Sequence, residues 1–402
     1  MFFSAHFHFP RLYFIMNEQR GNIDIMNRKP RIMILTAGYG EGHVQASKAL
    51  KQQFAAHGIG DVSIVDLMKE AHPLLNTISM KLYIKSAQTS KYGLDYYGWS
   101  YYMTRDTKPE GSLSKYFNLL GKKKLKQLID GMRPDALINT FPFGSAPEIG
   151  QETGIPTFTV VTDYALHARW IHPDNDKYYV ATEELKDELL AKGFAAGQVL
   201  VSGIPIRQAF AHASAGAGKS LQHFNPGKPT VLILAGSYGV LSHIEHMVHT
   251  LRKHEGSRLV VVCGRNRKLE TRLSEQFAGA GDIHIFGFVE QIHELMAASS
   301  CVVTKAGGLT LTEALTMRLP IFIYKPLAGQ EKENAIYFER KGMAQISSTT
   351  GELEQQIGQF LANPSLPQRM KASMASVHKG NAADTIVQDV LRTVASTLPA
   401  TV

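Results

Sequence analysis

Residues 31–50 read R-I-M-I-L-T-A-G-Y-G-E-G-H-V-Q-A-S-K-A-L. A short apolar run meets three closely spaced glycines, and an amphipathic stretch from Val44 to His57 follows. Apolar runs of this length bounded by turn residues are strands buried on both faces. The next run, VSIVDL (62–67), completes a strand–turn–helix–strand unit, the opening of a parallel α/β sheet. ALINT (136–140), TFTVVTD (157–163), YYVAT (178–182) and QVLVSG (198–203) continue it, alternating with helical segments. The cycle restarts at TVLILAGSYG (230–239) and runs through RLVVVCG (258–264), IHIFG (283–287), CVVTKAGG (301–308) and PIFIYKP (320–326). The pattern predicts an α/β protein of two Rossmann-like, doubly wound domains, over 29–205 and 206–380. Residues 1–28 are expected to be a disordered extension. Residues 381–402 are expected to form a helix, capped by Asn381, that packs back on the first domain. Gln208 to Pro229, rich in Ala, Gly and Ser, reads as the linker region.

The composition agrees. The 402 residues are 44% hydrophobic and 19% charged, which excludes a disordered chain, a collagen and a disulfide mini-protein. The net charge of +8 suggests a polyanion, an anionic membrane surface or a phosphorylated substrate. Cys263 and Cys301 each lie in an apolar run and read as small buried hydrophobes in a reducing compartment. No stretch reaches the roughly 18–20 uninterrupted apolar residues of a spanning helix. The aromatic N-terminus is broken by Pro10 and Arg11, lacks a basic start, and is not read as a signal peptide.

Residues 71–133 differ from the rest. They hold eleven Lys and Arg against four Asp and Glu, seven of the fifteen tyrosines, and Trp99. One reading is a solvated helix face around Lys122, Lys123, Lys124 and Lys126. The other is an insertion that lies on an anionic bilayer through those lysines and Trp99, Tyr101 and Tyr102. No nucleic-acid recognition motif accompanies the charge, so no nucleic-acid partner is expected.

Two glycine turns carry the chemistry. In the first, Gly38, Gly40 and Gly42 let the backbone approach a ligand at a helix N-terminus. His43 follows at the carboxyl edge of the sheet, as a general base or a cap. The spacing is not that of a dinucleotide fold, and Asp66 is a weak candidate for a ribose ligand. The second turn, A-G-S-Y-G-V (235–240), suits a phosphate. Past the strand at 301, Gly307 and Gly308 open a helix that carries Glu313, whose carboxylate suits a vicinal diol. Gln330, Glu331 and Asn334 follow as sugar readers. Together these describe a nucleotide-sugar site. G-A-G-K-S (216–220) lacks the first glycine of a phosphate loop. His243, His246 and His249 spread too widely around a helix to share a metal.

These motifs resemble the glycosyltransferase family that holds the monogalactosyldiacylglycerol synthases and the peptidoglycan lipid II synthase. The likeness runs from about 31 to 340 through blocks such as ILTAGYGEGHVQASKAL, VVTDYALHARWIHPDNDKYYVATEELK, VSGIPIR, VTKAGGLTLTEA and YKPLAGQEKENA. It implies a glycosyltransferase B fold and an inverting enzyme with no cofactor and no essential metal. The first domain would take a lipid acceptor and the second UDP-glucose. The products would be β-glucosyl diacylglycerols, extended by repeated transfers, that serve as membrane lipids and lipoteichoic acid anchors. Galactose transfer and sugar-nucleotide epimerisation remain alternatives. His43 falls on the family's acceptor-activating histidine, and Asp163 beside it is expected to orient acceptor-side groups. Arg207 and Ser237 fall on diphosphate contacts, and Phe288 and Val289 on the uracil. Glu313 falls on the ribose, and Gln330, Glu331 and Asn334 on the donor sugar. Tyr39 and Glu41 occupy a loop that varies in the family. The implied location is the cytoplasmic face of the membrane, as a peripheral protein whose partners are UDP-glucose, diacylglycerol, its glucosylated products and anionic lipids.

Overall fold

A computed structural model of the chain describes residues 28–38, 41–71, 112–212, 227–239, 241–254 and 256–397, together with the backbone of 13–16 and 23–26. Side chains of 112–120 lie outside this description. So do Tyr39, Gly40, Trp99, Tyr101, Tyr102 and the 216–220 glycine run. Within the N-terminal extension, where disorder was expected, β1 (Tyr13–Met16) and β2 (Ile23–Met26) pair antiparallel.

The first sheet contains β3 (Ile32–Thr36), β4 (Val62–Asp66), β5 (Ala136–Asn139), β6 (Thr157–Val160), β7 (Lys177–Val180) and β8 (Val199–Val201). They are parallel in the order β4-β3-β5-β6-β7-β8. The second sheet contains β9 (Thr230–Leu234), β10 (Arg258–Val262), β11 (Ile283–Phe286), β12 (Cys301–Thr304), β13 (Ile321–Tyr324) and β14 (Ala344–Ser347). Its parallel order is β11-β10-β9-β12-β13-β14. The strand at 344–347, A-Q-I-S, is too polar to stand out in the sequence and sits at the sheet edge. In each sheet the order reverses beside the first strand, between β3 and β5 and between β9 and β12. Such switch points are where open α/β sheets bind ligands.

Helices follow the strands. In the first half they are α1 (Glu41–Ala56), α2 (Leu67–Ala71), α3 (Ser112–Met132), α4 (Ser145–Thr153) and α5 (Glu183–Ala191). In the second they are α6 (Ala209–His212), α7 (Ile244–Leu251), α8 (Arg267–Gln276), α9 (Ile292–Ala297), α10 (Gly308–Thr316), α11 (Gln330–Arg340), α12 (Thr350–Ala362) and α13 (Ser365–Val377). With helices on both faces, β3, β9 and β10 are buried at every residue.

The last helix, α14 (Ala382–Thr397), returns to the first domain. Ile386, Val387, Val390, Leu391 and Val394 form its inner face and pack with Ile32, Ile34, Phe54 and Tyr179. Asn381 Oδ1 accepts from the N–H of Asp384, a helix cap. Asp384 in turn binds His57 and Gln53, each at 2.7 Å. The chain therefore crosses between the domains twice, and the crossings touch: a Cβ on Gly203 would lie 3.3 Å from Cβ of Ala382 and 3.6 Å from Cβ of Lys379.

Candidate active site

The first switch point is closed by His43. Its Nδ1 lies 2.8 Å from the carbonyl oxygen of Thr140, just past β5, and 2.9 Å from Oγ1 of Thr162, just past β6. A carbonyl oxygen only accepts, so Nδ1 carries the proton and Nε2 keeps its lone pair. The backbone beneath is pinned: Ser47 Oγ donates to the His43 carbonyl and lies 2.8 Å from Thr140 Oγ1. Phe141 meets the imidazole edge-on at 5.1 Å, and Trp170 stands 6.1 Å away. Burial pushes the imidazole below its ordinary pKa, against the pull of Asp163 and the Thr140 hydrogen bond. His43 is therefore neutral at pH 7 with one open basic nitrogen.

Asp163 is buried beside it. Burial raises its carboxyl, while His43, Gln330 and Asn334 pull it down. Oδ1 accepts from Asn334 Nδ2 at 3.1 Å, and Oδ2 is buried with no hydrogen-bond partner among the described residues. The first glycine turn is tied to the neighbouring strand. Its Gly38 N–H donates to Asp66 Oδ2 at 3.1 Å, so the carboxylate proposed as a ribose ligand instead fastens the turn. Gly42 faces the other domain, where a Cβ would lie 3.9 Å from Cβ of Leu309.

The domains meet tightly here. A Cβ on Gly308 would lie 2.3 Å from the Thr162 carbonyl oxygen, so only glycine lets α10 begin against the first sheet. Tyr164 stacks on Tyr337 at 5.2 Å, and its hydroxyl lies 2.8 Å from Thr312 Oγ1. Asn334 departs from its expected role. It is fully buried, its Oδ1 accepts the Tyr164 N–H at 2.8 Å, and its Nδ2 donates to Asp163 and to the Ala306 carbonyl. Both amide protons are used within the protein, which makes Asn334 a fastener between the domains rather than an open sugar reader.

The second switch point is lined by the remaining candidates. Gly236 and Gly239 take positive φ, +81° and +62°, in the turn that holds Ser237. Arg207 donates to the Glu290 carbonyl at 3.0 Å and stacks over Phe210, while its Nε is buried without a hydrogen-bond partner. Its charge opposes the burial that pushes the Glu313 carboxyl, on α10, up to about 7. Gln330 and Glu331 begin α11, and Gly307 precedes α10. Phe288 is 57% exposed, with the Arg265 guanidinium 4.9 Å above its ring, and Val289 packs on the core.

Two groups escaped the sequence reading. Lys305, the first residue past β12, pairs with Glu331 at 2.5 Å. Arg265 reaches across the seam to Glu41 at 2.5 Å. Burial pushes the Glu41 carboxyl up, yet Arg265 and Gln45 more than offset it, so it titrates below its ordinary value.

Away from the seam, the lysine run is not a bare patch. Lys122 pairs with Glu148 and Glu152 at 2.9 Å, Lys126 with Glu152 at 2.5 Å, and Lys124 with Glu70 at 3.9 Å. Lys126 and Lys122 hold the Glu152 carboxyl down to about 2. Lys123 is exposed. No helix among the described residues is long and apolar enough to cross a membrane.

Comparison with known proteins places this arrangement. Residues 43–206 match the monogalactosyldiacylglycerol (MGDG) synthase family, and residues 230–389 match the glycosyltransferase family 28 C-terminal domain. A processive diacylglycerol beta-glucosyltransferase of Bacillus subtilis (strain 168) is 39% identical over 372 residues, 91% of this chain and 96% of that one. The chain belongs to the processive diacylglycerol beta-glucosyltransferase family. A member of this family from Bacillus cereus (strain AH187) is 37% identical, covering 91% of this chain and 94% of its own. Solved structures agree on the fold. Acinetobacter baumannii MurG superposes with a TM-score of 0.61 at 15% identity, over 90% of this chain and 99% of that one. The UDP complex of S. aureus MnaA superposes at 0.62 and 13%, over 93% and 100%. The architecture is the glycosyltransferase B fold.

Proposed function

We propose that the chain is an inverting glucosyltransferase. It moves glucose from UDP-glucose to the free hydroxyl of 1,2-diacylglycerol and then to the sugar just added. The observation that carries this reading is the neutral His43, its Nδ1 proton held by the Thr140 carbonyl, at the acceptor switch point of a chain that shares 39% identity with a processive diacylglycerol beta-glucosyltransferase. His43 Nε2 takes the proton of the acceptor hydroxyl. The hydroxyl oxygen bonds to the sugar C1 from the face opposite the diphosphate, and the C1–O bond to UDP breaks with its electrons. Asp163 stabilises the imidazolium that forms. Arg207, with an unpartnered Nε, and N–H groups of the Ser237 turn receive the charge on the leaving group. Glu313 holds the ribose, and Gln330 and Glu331 the sugar. The chain works as a peripheral protein on the cytoplasmic face of an anionic membrane, with no essential metal.

The test is product analysis. The purified chain is incubated with UDP-glucose or UDP-galactose, with or without diacylglycerol in anionic vesicles and with or without EDTA. Mass spectrometry should show one and then several hexoses on the lipid from UDP-glucose, insensitive to EDTA. NMR should show β-linkages. Conversion of UDP-glucose without lipid would replace this reading with an epimerase, and preference for UDP-galactose would change the sugar.

A further inference from the structure

Two oxygens lie within reach of His43 Nδ1, and they come from neighbouring strands. The Thr140 carbonyl oxygen, past β5, is 2.8 Å away, and the Thr162 hydroxyl oxygen, past β6, is 2.9 Å away. The carbonyl fixes the proton on Nδ1, so the hydroxyl can only accept it there. One N–H shared by two acceptors is a three-centre hydrogen bond. With a single acceptor the imidazole is free to turn about the N–H···O line. A second acceptor on the next strand opposes that turn and gives the lone pair of Nε2 one direction.

Neither oxygen is free to drift. The Thr140 N–H donates to the Leu35 carbonyl at 2.9 Å, and its hydroxyl lies 2.8 Å from Ser47 Oγ. Thr162 is buried, and its carbonyl packs so closely on Gly308 that a Cβ there would lie 2.3 Å away. Asn334 ties the next two residues, through Asp163 Oδ1 at 3.1 Å and the Tyr164 N–H at 2.8 Å. The Thr162 hydroxyl is thus carried on backbone clamped from the second domain.

When His43 takes a proton, its Nδ1–H becomes the donor of a charged ring, and such hydrogen bonds are roughly twice as strong as neutral ones. The contact therefore strengthens as the proton moves, which is when an interaction accelerates a reaction. Asp163 is the charged side chain that acts on the imidazole, and Glu331 acts on Asp163 in turn. Both remain when only the Thr162 hydroxyl is removed.

We propose that Thr162 is a positioning residue for the base: its hydroxyl shares the Nδ1 proton of His43, fixes the direction of Nε2 and holds the imidazolium once the acceptor proton has arrived. This rests on the function proposed above and adds to it a residue that acts only through His43.

Glycolipid formation from UDP-glucose and diacylglycerol in anionic vesicles, followed against pH, tests it. The variants are Thr162→Val, which keeps the shape of the side chain, Thr162→Ala, Thr162→Ser, His43→Ala and the double variant His43→Ala/Thr162→Val. Thr162→Val and Thr162→Ala should each lower kcat about tenfold with KM for UDP-glucose within twofold of wild type. Losing an acceptor for the imidazolium lowers the pKa of His43, so the acid limb of their kcat profiles should move to lower pH. Thr162→Ser should stay within threefold of wild type. In the His43→Ala background, Thr162→Val should change the residual rate less than twofold. Wild-type kcat in Thr162→Val overturns the proposal. So does the same fold loss with and without His43, or a loss that Thr162→Ser shares and that leaves the acid limb in place, since either would make Thr162 a packing residue only. A wild-type protein that forms no glycolipid, or His43→Ala at the wild-type rate, would instead overturn the function on which the proposal rests.

Discussion

The two switch points share a scaffold and carry opposite chemistry. At the first, the glycine turn is fastened by Asp66, Glu41 begins the helix, and a neutral imidazole bridges β3 and β5. At the second, the turn holds no acid, and the group that bridges β9 and β12 is a lysine. The two groups come from different places in the topology: His43 stands on α1, after the first strand of its sheet, whereas Lys305 follows β12, the other strand that flanks its switch point. In the function proposed above, the first switch point takes the proton of the acceptor and the second the charge of the leaving group.

Four substitutions, and a fifth as a control, break or sharpen that contrast. The largest effect should come from His43→Ala, which removes the imidazole held by the Thr140 carbonyl at the first switch point. Loss of a general base costs ~10²–10⁴ in rate, and kcat should fall by that much while calorimetry finds UDP affinity unchanged. A drop in UDP affinity comparable to the drop in rate would mean that the two sites are not separate.

Next is the seam. Gly308→Ala places a Cβ 2.3 Å from a backbone oxygen, whereas Gly307→Ala meets nothing within 4 Å. Overpacking of this kind costs about 1–3 kcal/mol. Thermal unfolding should show a lower Tm for Gly308→Ala and little change for its neighbour. Equal behaviour would show that the domains do not press together at this residue.

Glu313→Gln is smaller and changes sign between readouts. Burial holds this carboxyl at about 7 in the folded protein, above its ordinary value of 4.5. The folded state therefore binds more protons between those values, and the carboxyl's contribution to stability falls as pH rises through that window. The variant should be more stable than wild type at pH 8, by about 1–3 kcal/mol, and no more stable at pH 4. It should also bind UDP more weakly. In the wild type, UDP affinity should fall as pH drops through about 7. The His43-dependent rate should fail only at lower pH, because its pKa is pushed below 6.5. Calorimetry and kcat profiles that fall together would contradict this separation.

Arg265→Ala should do least. The pair with Glu41 is half exposed on its arginine side, and such pairs are worth roughly 0.2–1 kcal/mol. Tm and kcat should shift slightly, and less in high salt; a tenfold loss of kcat would give this bridge a larger role.

The fold was legible because each switch point announces itself locally, as a short apolar strand running into glycines. The strand at 344–347 was not, since A-Q-I-S offers only two turns of alternation with one large apolar side chain, Ile346, and is fixed by pairing with β13. The cap at Asn381 was legible because its partner is three residues away. Asn334 was not, because its three partners lie on two domains and one of them is 171 residues distant. Lys305 was passed over for the glycines that follow it, although its position at a strand end marked it. The pairing of the lysine run with Glu148 and Glu152 depends on α3 lying beside α4, which no local spacing reveals.

The contact between Gly203 and the Lys379–Ala382 segment has a mechanical consequence. A body tethered at two distant points can only flap about the line that joins them. A body tethered at two points that touch can swivel, much as on a ball joint. The covalent chain here sets neither the angle nor the twist between the halves of the molecule. Both are left to the seam: the close approach of Gly308 to the Thr162 carbonyl, Asn334, the Tyr164–Tyr337 stack and the Glu41–Arg265 bridge.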